Sequence, residues 1–452
     1  MNSITNTYQT SAIGSDDFKD LIESGQYIDK SLFIKDVLTD AFKVPLITRP
    51  RRWGKSSNMS MLKTFLEIEV DEHGNELTEE HKRNPVYFKG GEICVDNKTI
   101  LHQELRIVKS TIKIQDKEYD VIDYLGRYPV IMANFKDLGA GCYENLLAGL
   151  KGRIRKIFTE HKYLLNSAHL SVIEKDLFTA YLYKNISEEE VKNSLNFLME
   201  CLFIHFGKKV WVLIDEYDSA IHKAYVKSSK DKANPHNFSP EFDNVLDLFR
   251  DLMGSALKSE THLERGVITG ILRIAQANLF SGLSNVKEYS VLSKRFASYY
   301  GFEQHEVDAL CERYQIPEHK QKKLAAWYNG YNYGGLKLYN PWSIMNFMTD
   351  EDNDLKNYWE ATSYGALQNL EINKRVYKEL QDLLSKKKES LRITVGDGFN
   401  LNVLLDGNTS AMRELLLLTG YFNPVEKYGA ELYAVNIPNQ EVRIALGKLT
   451  QK

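Results

Sequence analysis

The fold is decided by the stretch Thr48-Arg49-Pro50-Arg51-Arg52-Trp53-Gly54-Lys55-Ser56-Ser57. It follows a short apolar run at residues 44–47 and precedes a region, residues 59–70, in which apolar residues recur at helical spacing. A strand, a tight loop ending in Gly-Lys-Ser and a helix form the layout of a phosphate-binding loop, because backbone N–H groups at a helix start bind anionic phosphate. The stretch therefore predicts a site for a nucleoside triphosphate.

The end of this loop carries three residues with distinct expected roles. Gly54 lets the backbone approach the phosphates closely, Lys55 reaches the β- and γ-phosphates, and the Ser56 hydroxyl is placed to ligate Mg²⁺. The motif is imperfect, because Arg49 stands where a second glycine is usual. A solvated basic turn that caps a helix is therefore the alternative interpretation of this stretch alone.

Arginines surround Pro50 in the loop, where small residues usually expose backbone N–H groups. We predict that at least one of Arg49, Arg51 and Arg52 contacts phosphate or a neighbouring acid. Arg51 is the candidate for phosphate, since Pro50 fixes the turn before it, and Trp53 is expected to pack against the core or the nucleotide. The alternative is that these arginines only form surface ion pairs. The predicted nucleotide-binding residues are Arg51, Arg52, Trp53, Gly54, Lys55, Ser56 and Ser57.

A second motif lies at Val210-Trp211-Val212-Leu213-Ile214-Asp215-Glu216-Tyr217-Asp218. An apolar run that ends in acids predicts a buried parallel strand with carboxylates at its C-terminal edge. Asp215 is placed to hold Mg²⁺, directly or through water, and Glu216 to polarise the attacking water. A solvated acidic turn is the alternative for this string alone. Two complementary motifs in this order favour nucleotide binding over both alternatives.

The composition argues against several classes of protein. The chain of 452 residues has a net charge of −3 and a pI near 6.4, so no global charge draws it to nucleic acid or to an anionic membrane. Its four cysteines are widely scattered, which argues against a zinc site or a disulfide framework. The sequence has neither a signal-peptide pattern nor an apolar run of ~18 residues. We therefore expect a soluble, cytoplasmic protein with no membrane partner.

A strand predicted at Tyr128–Phe135 lies between the two motifs in sequence. An extra strand at that point, with Glu216 next to Asp215, indicates the additional-strand division of P-loop ATPases. The predicted fold class is therefore α/β: a P-loop NTPase of this type, with a parallel sheet flanked by helices.

Another buried strand is predicted at Gly266–Gly270, shortly before Arg273. The guanidinium of Arg273 is a candidate sensor of the γ-phosphate, because its fork suits phosphate oxygens; a salt bridge to a neighbouring acid explains it nearly as well. Thr269 is a weaker candidate for orienting the attacking water. The predicted catalytic residues are Glu216, Lys55 and Arg273, and the predicted metal ligands are Ser56 and Asp215.

Two domains are expected along the chain. Residues 1–302 form the P-loop domain, with an insertion at about 71–126 that lies outside the sheet and holds a small hairpin at Ile107–Ile114. Residues 303–452 form a mainly helical region with a winged-helix-like end, built from a helix at 410–420 and a hairpin over 422–437. The aromatic and glycine residues at 327–335 indicate a packed loop or, as the alternative, a stacking surface for a base.

In combination, these motifs resemble the bacterial AAA-ATPase-like family, and the resemblance covers nearly the whole chain. The stretches that carry it are Tyr27–Ser31, Leu46–Leu62, Tyr128–Asp137, Val212–Asp218, Gly266–Gly282, Trp327–Trp342 and Leu417–Arg443.

The resemblance implies a P-loop ATPase domain related to signalling ATPases with winged-helix-like appendages. Family members also carry Arg-Pro-Arg-Arg in the loop, so Arg49 does not imply an inactive site. They commonly end in a PD-(D/E)XK nuclease-like domain, which would begin just past Asn439. Only 13 residues follow Asn439, and we expect that domain to be absent from this chain.

Three functions follow as hypotheses. The first is an Mg²⁺-dependent ATP-binding protein that hydrolyses ATP and acts as a switch or motor on an unknown protein partner. The second is a catalytically weak P-loop scaffold for protein–protein interaction. The third is an ATP-dependent protein associated with nucleic acid, which rests on the family more than on these residues. Assembly into a homo-oligomer is left open by the sequence.

Overall fold

A computed structural model of the protein describes residues 14–95, 98–138, 142–228, 240–258, 261–272, 283–359, 372–396 and 407–450. The strands are β1 (Val44–Thr48), β2 (Gly91–Val95), β3 (Lys98–His102), β4 (Thr111–Ile114), β5 (Lys117–Asp120), β6 (Val130–Asn134), β7 (Val210–Asp215), β8 (Leu263–Gly270), β9 (Val286–Tyr289), β10 (Tyr331–Tyr333), β11 (Leu336–Leu338), β12 (Leu391–Thr394), β13 (Asn423–Lys427) and β14 (Leu432–Asn436).

The helices surround these strands. They are α1 (Phe18–Glu23), α2 (Leu32–Leu38), α3 (Lys55–Leu66), α4 (Val86–Lys89), α5 (Tyr143–Glu160), α6 (Val172–Tyr183), α7 (Glu188–Phe206), α8 (Ser219–Ser228), α9 (Pro240–Leu257), α10 (Gln304–Arg313), α11 (Glu318–Tyr328), α12 (Pro341–Thr349), α13 (Lys374–Leu384), α14 (Thr409–Leu418) and α15 (Gln440–Leu449). Short 3₁₀ turns lie at Arg106–Lys109, Val121–Tyr124, Lys162–Asn166 and Ala297–Tyr299.

The central sheet has five parallel strands in the order β6-β7-β8-β1-β9. This confirms the predicted α/β class with a parallel sheet flanked by helices. The strand inserted between β1 and β7 is β8, which follows both in sequence. An extra strand therefore separates β1 from β7 in the sheet, as the predicted additional-strand type requires. The strand predicted at Tyr128–Phe135 is observed as β6, which lies between β1 and β7 in sequence, as predicted, but at the edge of the sheet.

Successive residues of β7 point to opposite faces of the sheet, and both faces are buried. Val212 and Ile214 join the apolar cluster that includes α5, α7 and α9. Trp211 and Leu213 join the cluster that includes α1, α2 and α3. Burial on both faces explains why the strand is a continuous apolar run that becomes polar only at its C-terminal edge.

The chain between α3 and β6 lies outside the central sheet and forms two antiparallel hairpins, β2–β3 and β4–β5. The hairpin predicted at Ile107–Ile114 was placed several residues too early, because Arg106–Lys109 forms a 3₁₀ turn. The true reversal is at Gln115 and Asp116, which both have positive φ. This is the geometry of a tight hairpin turn.

Near the C-terminal end of the described chain, α14 is followed by the hairpin β13–β14, which is the predicted helix and hairpin of the winged-helix-like end. One further strand, β12, precedes α14 in sequence and completes an antiparallel sheet in the order β12-β14-β13. The aromatic–glycine segment at 327–335 ends α11 and forms most of hairpin β10–β11. Tyr328, Tyr331 and Tyr333 are buried, so they do not offer a stacking surface. Gly330 allows this packing, because a Cβ there would lie 2.0 Å from the carbonyl oxygen of Pro438.

Among the helices of the described ranges, none combines the length and the apolar character needed to cross a bilayer.

One carboxyl group is buried within the C-terminal region. Glu441 of α15 is fully buried, and it accepts hydrogen bonds from the Ser343 hydroxyl at 2.8 Å and from the Trp359 backbone N–H at 2.8 Å. Burial raises the pKa of Glu441 to about 7. The folded state therefore retains a proton that the unfolded chain releases from about pH 4.5 upward.

The folded state consequently loses stability as pH rises from about 4.5 to 7, and the loss is complete above pH 7. We expect Glu441→Gln to stabilise the protein by about 2 kcal/mol more at pH 8 than at pH 5, measured by urea unfolding at both values. Glu431→Gln is the matched control, because Glu431 is exposed. Equal effects of Glu441→Gln at the two pH values would contradict this prediction.

Candidate active site

The loop between β1 and α3 has the geometry that its sequence predicts. Gly54 is the N-cap of α3 and has a left-handed backbone with φ 75°, which glycine adopts without steric cost. Lys55 is the first residue of the helix, and Ser56 and Ser57 follow in its first turn. The helix start therefore lies at the end of the loop, as a phosphate site requires.

The Lys55 side chain is folded back into the loop. Its Nζ donates to the carbonyl oxygens of Arg49 at 3.0 Å and Pro50 at 2.8 Å, and the residue is only 5% exposed. Burial lowers the pKa of Lys55, and the nearby acid Glu216 opposes this effect most strongly. The ammonium therefore lies inside the curve of the loop, where a bound phosphate oxygen could replace a carbonyl as its partner.

Asp215 brings the two sequence motifs together. It is fully buried at the end of β7, and its Oδ2 accepts hydrogen bonds from the Ser56 hydroxyl at 2.7 Å and from the Asn134 amide at 3.1 Å. The Thr269 hydroxyl donates to Oδ1. Carboxylate and hydroxyl oxygens are hard ligands that suit Mg²⁺, so Asp215 and Ser56 fit the ion that such a site requires.

Thr269 and Asn134 both donate to Asp215, a role that the sequence analysis predicted for neither of them. Thr269, the weaker candidate for orienting water, instead donates to Asp215. Asn134 was not proposed, although it is the last residue of β6 and faces Asp215 in the sheet register. The signal was the one that identified Asp215: a polar residue at the C-terminal edge of a parallel strand.

Glu216 is held in an unusual backbone conformation directly after β7. Its φ is 51°, a region that non-glycine residues rarely occupy, and its side chain is half-buried. Burial raises the pKa of Glu216, and Lys55 partly opposes this shift. Within the described parts of the chain its carboxylate accepts no hydrogen bond. Such a carboxylate is a stronger base than an exposed one and is available to accept a proton.

Asp218 holds the segment after β8 in place through hydrogen bonds. Its buried carboxylate accepts the backbone N–H groups of Ile271 at 2.8 Å and Leu272 at 2.9 Å. Gly270 is required at the turn, because a Cβ there would lie 2.6 Å from the Tyr217 ring. Asp218 therefore has a structural role. The segment that it holds in place leads to Arg273, which lies outside the described residues.

The loop arginines point in different directions. Arg49 is fully buried, donates from Nη1 to the carbonyl oxygens of Thr48 at 2.7 Å and Tyr289 at 2.8 Å, and has its pKa lowered to about 10 by burial. Arg52 stacks on the Trp342 ring, with its Cζ 3.8 Å from the ring centre. Among the described residues neither guanidinium forms an ion pair, so the alternative of surface ion pairs does not apply to Arg49 or Arg52 there.

Arg51 is half-exposed, and it forms no hydrogen bond or ion pair with another described residue. Its charge nevertheless acts on two neighbours. It contributes to lowering the pKa of Lys55, and after burial it is the second cause that lowers the pKa of His222 to about 4. The Arg51 guanidinium therefore lies near Lys55 and α8, with its donors available.

Trp53 connects the loop to the C-terminal region. It is fully buried, and its ring lies 4.8 Å from the Tyr331 ring and 4.7 Å from the Tyr333 ring, centre to centre. Gly301 allows this approach, since a Cβ there would lie 2.8 Å from the Trp53 ring. Trp53 thus packs in the core beside the hairpin β10–β11.

A family model described as Predicted AAA-ATPase matches residues 12–82 and 96–280. The chain belongs to the AAA-ATPase-like family. The matched ranges hold the phosphate loop, Asp215 and Glu216, so the family assignment rests on the same elements that form the site.

A relative of this AAA-ATPase-like protein is found in Azotobacter chroococcum mcd 1, where it is described as an uncharacterized protein in the vnfD 5' region. The two chains are 23% identical over 429 residues. The alignment covers 93% of this chain and 66% of the relative, so the chain spans about two-thirds of that relative's length.

Proposed function

We propose that the protein binds ATP with Mg²⁺ at this site, hydrolyses the ATP, and transmits the state of the nucleotide to an unknown protein partner. The observation that carries the proposal is the hydrogen bond of 2.7 Å from the Ser56 hydroxyl to Asp215. It joins the phosphate-loop helix to the acidic strand at one point. Family membership supports ATP as the nucleotide.

Each residue of the site has a proposed role. Mg²⁺, when bound, neutralises phosphate charge and helps to orient the phosphates. Ser56 and Asp215 would hold the ion, while Asn134 and Thr269 fix the Asp215 carboxylate by donating to it. Lys55 and the helix N-terminus bind phosphate oxygens. The proposed nucleotide-binding residues are Arg51, Arg52, Trp53, Gly54, Lys55, Ser56 and Ser57.

The chemical step needs a proton acceptor near the attacking water. Glu216 suits this role, because burial raises its pKa and no described residue hydrogen-bonds its carboxylate. Arg273 stays a proposed sensor of the γ-phosphate, supported by its position three residues after the end of β8.

Contacts between the loop and the C-terminal region support a switch. Arg52 stacks on Trp342 of α12, and Trp53 packs on Tyr331 and Tyr333. A rearrangement of the loop on nucleotide binding would change these contacts, and so would bias the position of α12 and the β10–β11 hairpin.

The experiment is a direct assay of the purified protein. Isothermal titration calorimetry with ATP is run with Mg²⁺ and with EDTA, and phosphate release is measured in parallel. Tight binding and Mg²⁺-dependent release are expected. Absence of ATP binding in both conditions would overturn the proposal.

A second function is favoured by one specific observation. Lys55 is already bound to two carbonyl oxygens of its own loop, so a nucleotide must compete for it. The protein would then be a P-loop scaffold that holds a partner with slow turnover or none. Tight ATP binding without measurable phosphate release would favour this scaffold.

Arg51→Ala is expected to weaken ATP binding by about 1–3 kcal/mol, which corresponds to roughly 5- to 150-fold in Kd. The reason is that Arg51 lies near Lys55 and leaves its donors available for phosphate. Arg375→Ala is the matched control, because Arg375 is 73% exposed and its partner among the described residues is Glu379. ATP affinity that Arg51→Ala leaves unchanged would show that Arg51 does not contact phosphate.

A further inference from the structure

Lys136 lies two residues after β6, at the same edge of the sheet as the site described above, and it has no role in that site so far. Its backbone is fixed on both sides. The Asn134 Oδ1 accepts the Lys136 backbone N–H at 2.8 Å, and the Asn134 amide donates to Asp215 at 3.1 Å. The Arg153 guanidinium donates to the Lys136 carbonyl oxygen at 2.8 Å. Lys136 is therefore positioned by the same amide that holds the Asp215 carboxylate.

The Lys136 ammonium is paired with an acid that precedes α1. Its Nζ lies 3.2 Å from Oδ2 of Asp16, and both side chains are 45% exposed. Pairs as exposed as this contribute little to stability, because water screens the charges and the side chains lose rotamer freedom when they pair. Another anion can therefore take the place of Asp16 at little cost.

Lys136 and Glu216 act on each other through their charges. Burial lowers the pKa of Lys136, but the interactions with Asp16 and Glu216 outweigh this effect and raise it overall. Burial raises the pKa of Glu216, Lys55 opposes this rise most strongly, and Lys136 adds to the opposition. The Lys136 ammonium is therefore near the carboxylate that is proposed to receive the proton of the attacking water.

The sheet places Lys136 and Lys55 on opposite sides of this carboxylate. Strand β7, which Glu216 follows, has β6 as one neighbour and β8 as the other, and β1 lies beyond β8. Lys55 follows β1, whereas Lys136 follows β6. A terminal phosphate held by Lys55 would therefore have Lys136 on its far side, where no residue of the phosphate loop supplies a positive charge.

We propose that Lys136 leaves Asp16 when ATP binds and donates a hydrogen bond to the terminal phosphate; this inference rests on the function proposed above. In the reaction, the water oxygen bonds to the terminal phosphorus and its proton passes to Glu216. The bond from that phosphorus to the bridging oxygen breaks, and its electron pair leaves with ADP. Lys136 keeps its own proton and neutralises charge on the phosphoryl oxygens. Asp16 acts in the opposite direction, because it competes with the phosphate for Lys136.

The test compares ATP and ADP, each with Mg²⁺, by isothermal titration calorimetry of the purified protein. Lys136→Met is expected to weaken ATP binding roughly tenfold, the scale of a charge-assisted hydrogen bond, and to leave ADP affinity unchanged. Single-turnover phosphate release should also slow. Lys136→Arg keeps the charge and should retain the preference for ATP over ADP. Lys356→Met is the matched control, because Lys356 is 52% exposed and pairs with Asp350 at 2.8 Å.

Asp16→Asn breaks the same ion pair from its other side. It should tighten ATP binding roughly two- to fivefold, the scale of an exposed pair, and leave ADP affinity unchanged. The gain should disappear in the double variant with Lys136→Met. A purely structural pair would instead make the two single variants change ATP and ADP affinity alike.

The outcomes separate this inference from the proposed function. A ratio of ATP to ADP affinity in Lys136→Met equal to that of the wild-type protein would overturn the contact with the terminal phosphate. Failure of the wild-type protein to bind either nucleotide would overturn the proposed function itself. If Lys136→Met does not fold, Asp16→Asn decides alone, and a ratio no higher than that of the wild-type protein would overturn the inference.

Discussion

Replacement of Glu216 with glutamine is expected to leave ATP bound and to slow phosphate release by about 10²–10⁴-fold. Glutamine keeps the size of the side chain but cannot accept a proton from water. Burial raises the pKa of the wild-type carboxylate, an effect that Lys55 partly opposes, so Glu216 is a better base than an exposed glutamate. Single-turnover phosphate release and equilibrium ATP binding are the two measurements.

Asp137→Asn is the matched control for this variant. Asp137 follows β6 at the same edge of the sheet, but its side chain is 82% exposed. It should therefore change neither binding nor turnover. Glu216→Gln turnover equal to that of the wild-type protein would show that another group activates water. Loss of ATP binding in Glu216→Gln would show that the side chain supports the nucleotide site instead.

Much of this site could be predicted from the sequence because its two motifs are local. The apolar run of β7 sets a buried strand and places Asp215 at the end of it, and Gly54 sets the turn before α3. Their meeting at Ser56 then follows from the fold class, since the C-terminal ends of parallel strands lie along one edge.

The remaining features depend on contacts between residues far apart in the chain. Asn134 and Thr269 reach Asp215 only because β6 and β8 flank β7, and the order of strands in the sheet does not follow from their order in the sequence. The burial of Arg49 depends on Tyr289 and Tyr300, about 240 to 250 residues away. Single-sequence periodicity contains no information about such neighbours.

The hairpin at Ile107–Ile114 was predicted at the wrong position for a different reason. The apolar and β-branched residues from Ile107 to Ile114 satisfy a strand pattern, yet the first part of that segment forms a 3₁₀ turn. Ile107 is buried there, and its backbone N–H donates to the Ser31 hydroxyl at 3.1 Å. A tertiary contact with the start of α2 thus overrides the local strand preference.

Lys55→Ala is expected to weaken ATP binding by about 100-fold, because it removes a charge-assisted contact of about 3 kcal/mol to the phosphates. The same change should cost little stability. The Lys55 ammonium is buried and bound to two carbonyl oxygens, and burial lowers its pKa, so the desolvation of the charge offsets much of what its hydrogen bonds contribute. Calorimetry measures the binding, and thermal unfolding measures the stability.

Lys63→Ala separates the loss of a specific contact from the loss of a positive charge. Lys63 lies on the same helix, where it pairs with Glu67 at 3.6 Å and Glu160 at 3.4 Å near the surface. Such surface pairs contribute about 0–1 kcal/mol to stability, so Lys63→Ala should stay folded and bind ATP as the wild-type protein does. If Lys55→Ala also binds ATP with unchanged affinity while remaining folded, Lys55 stays bound to its own loop in the complex. Phosphate binding by the loop would then depend on Arg51 and the start of α3 alone.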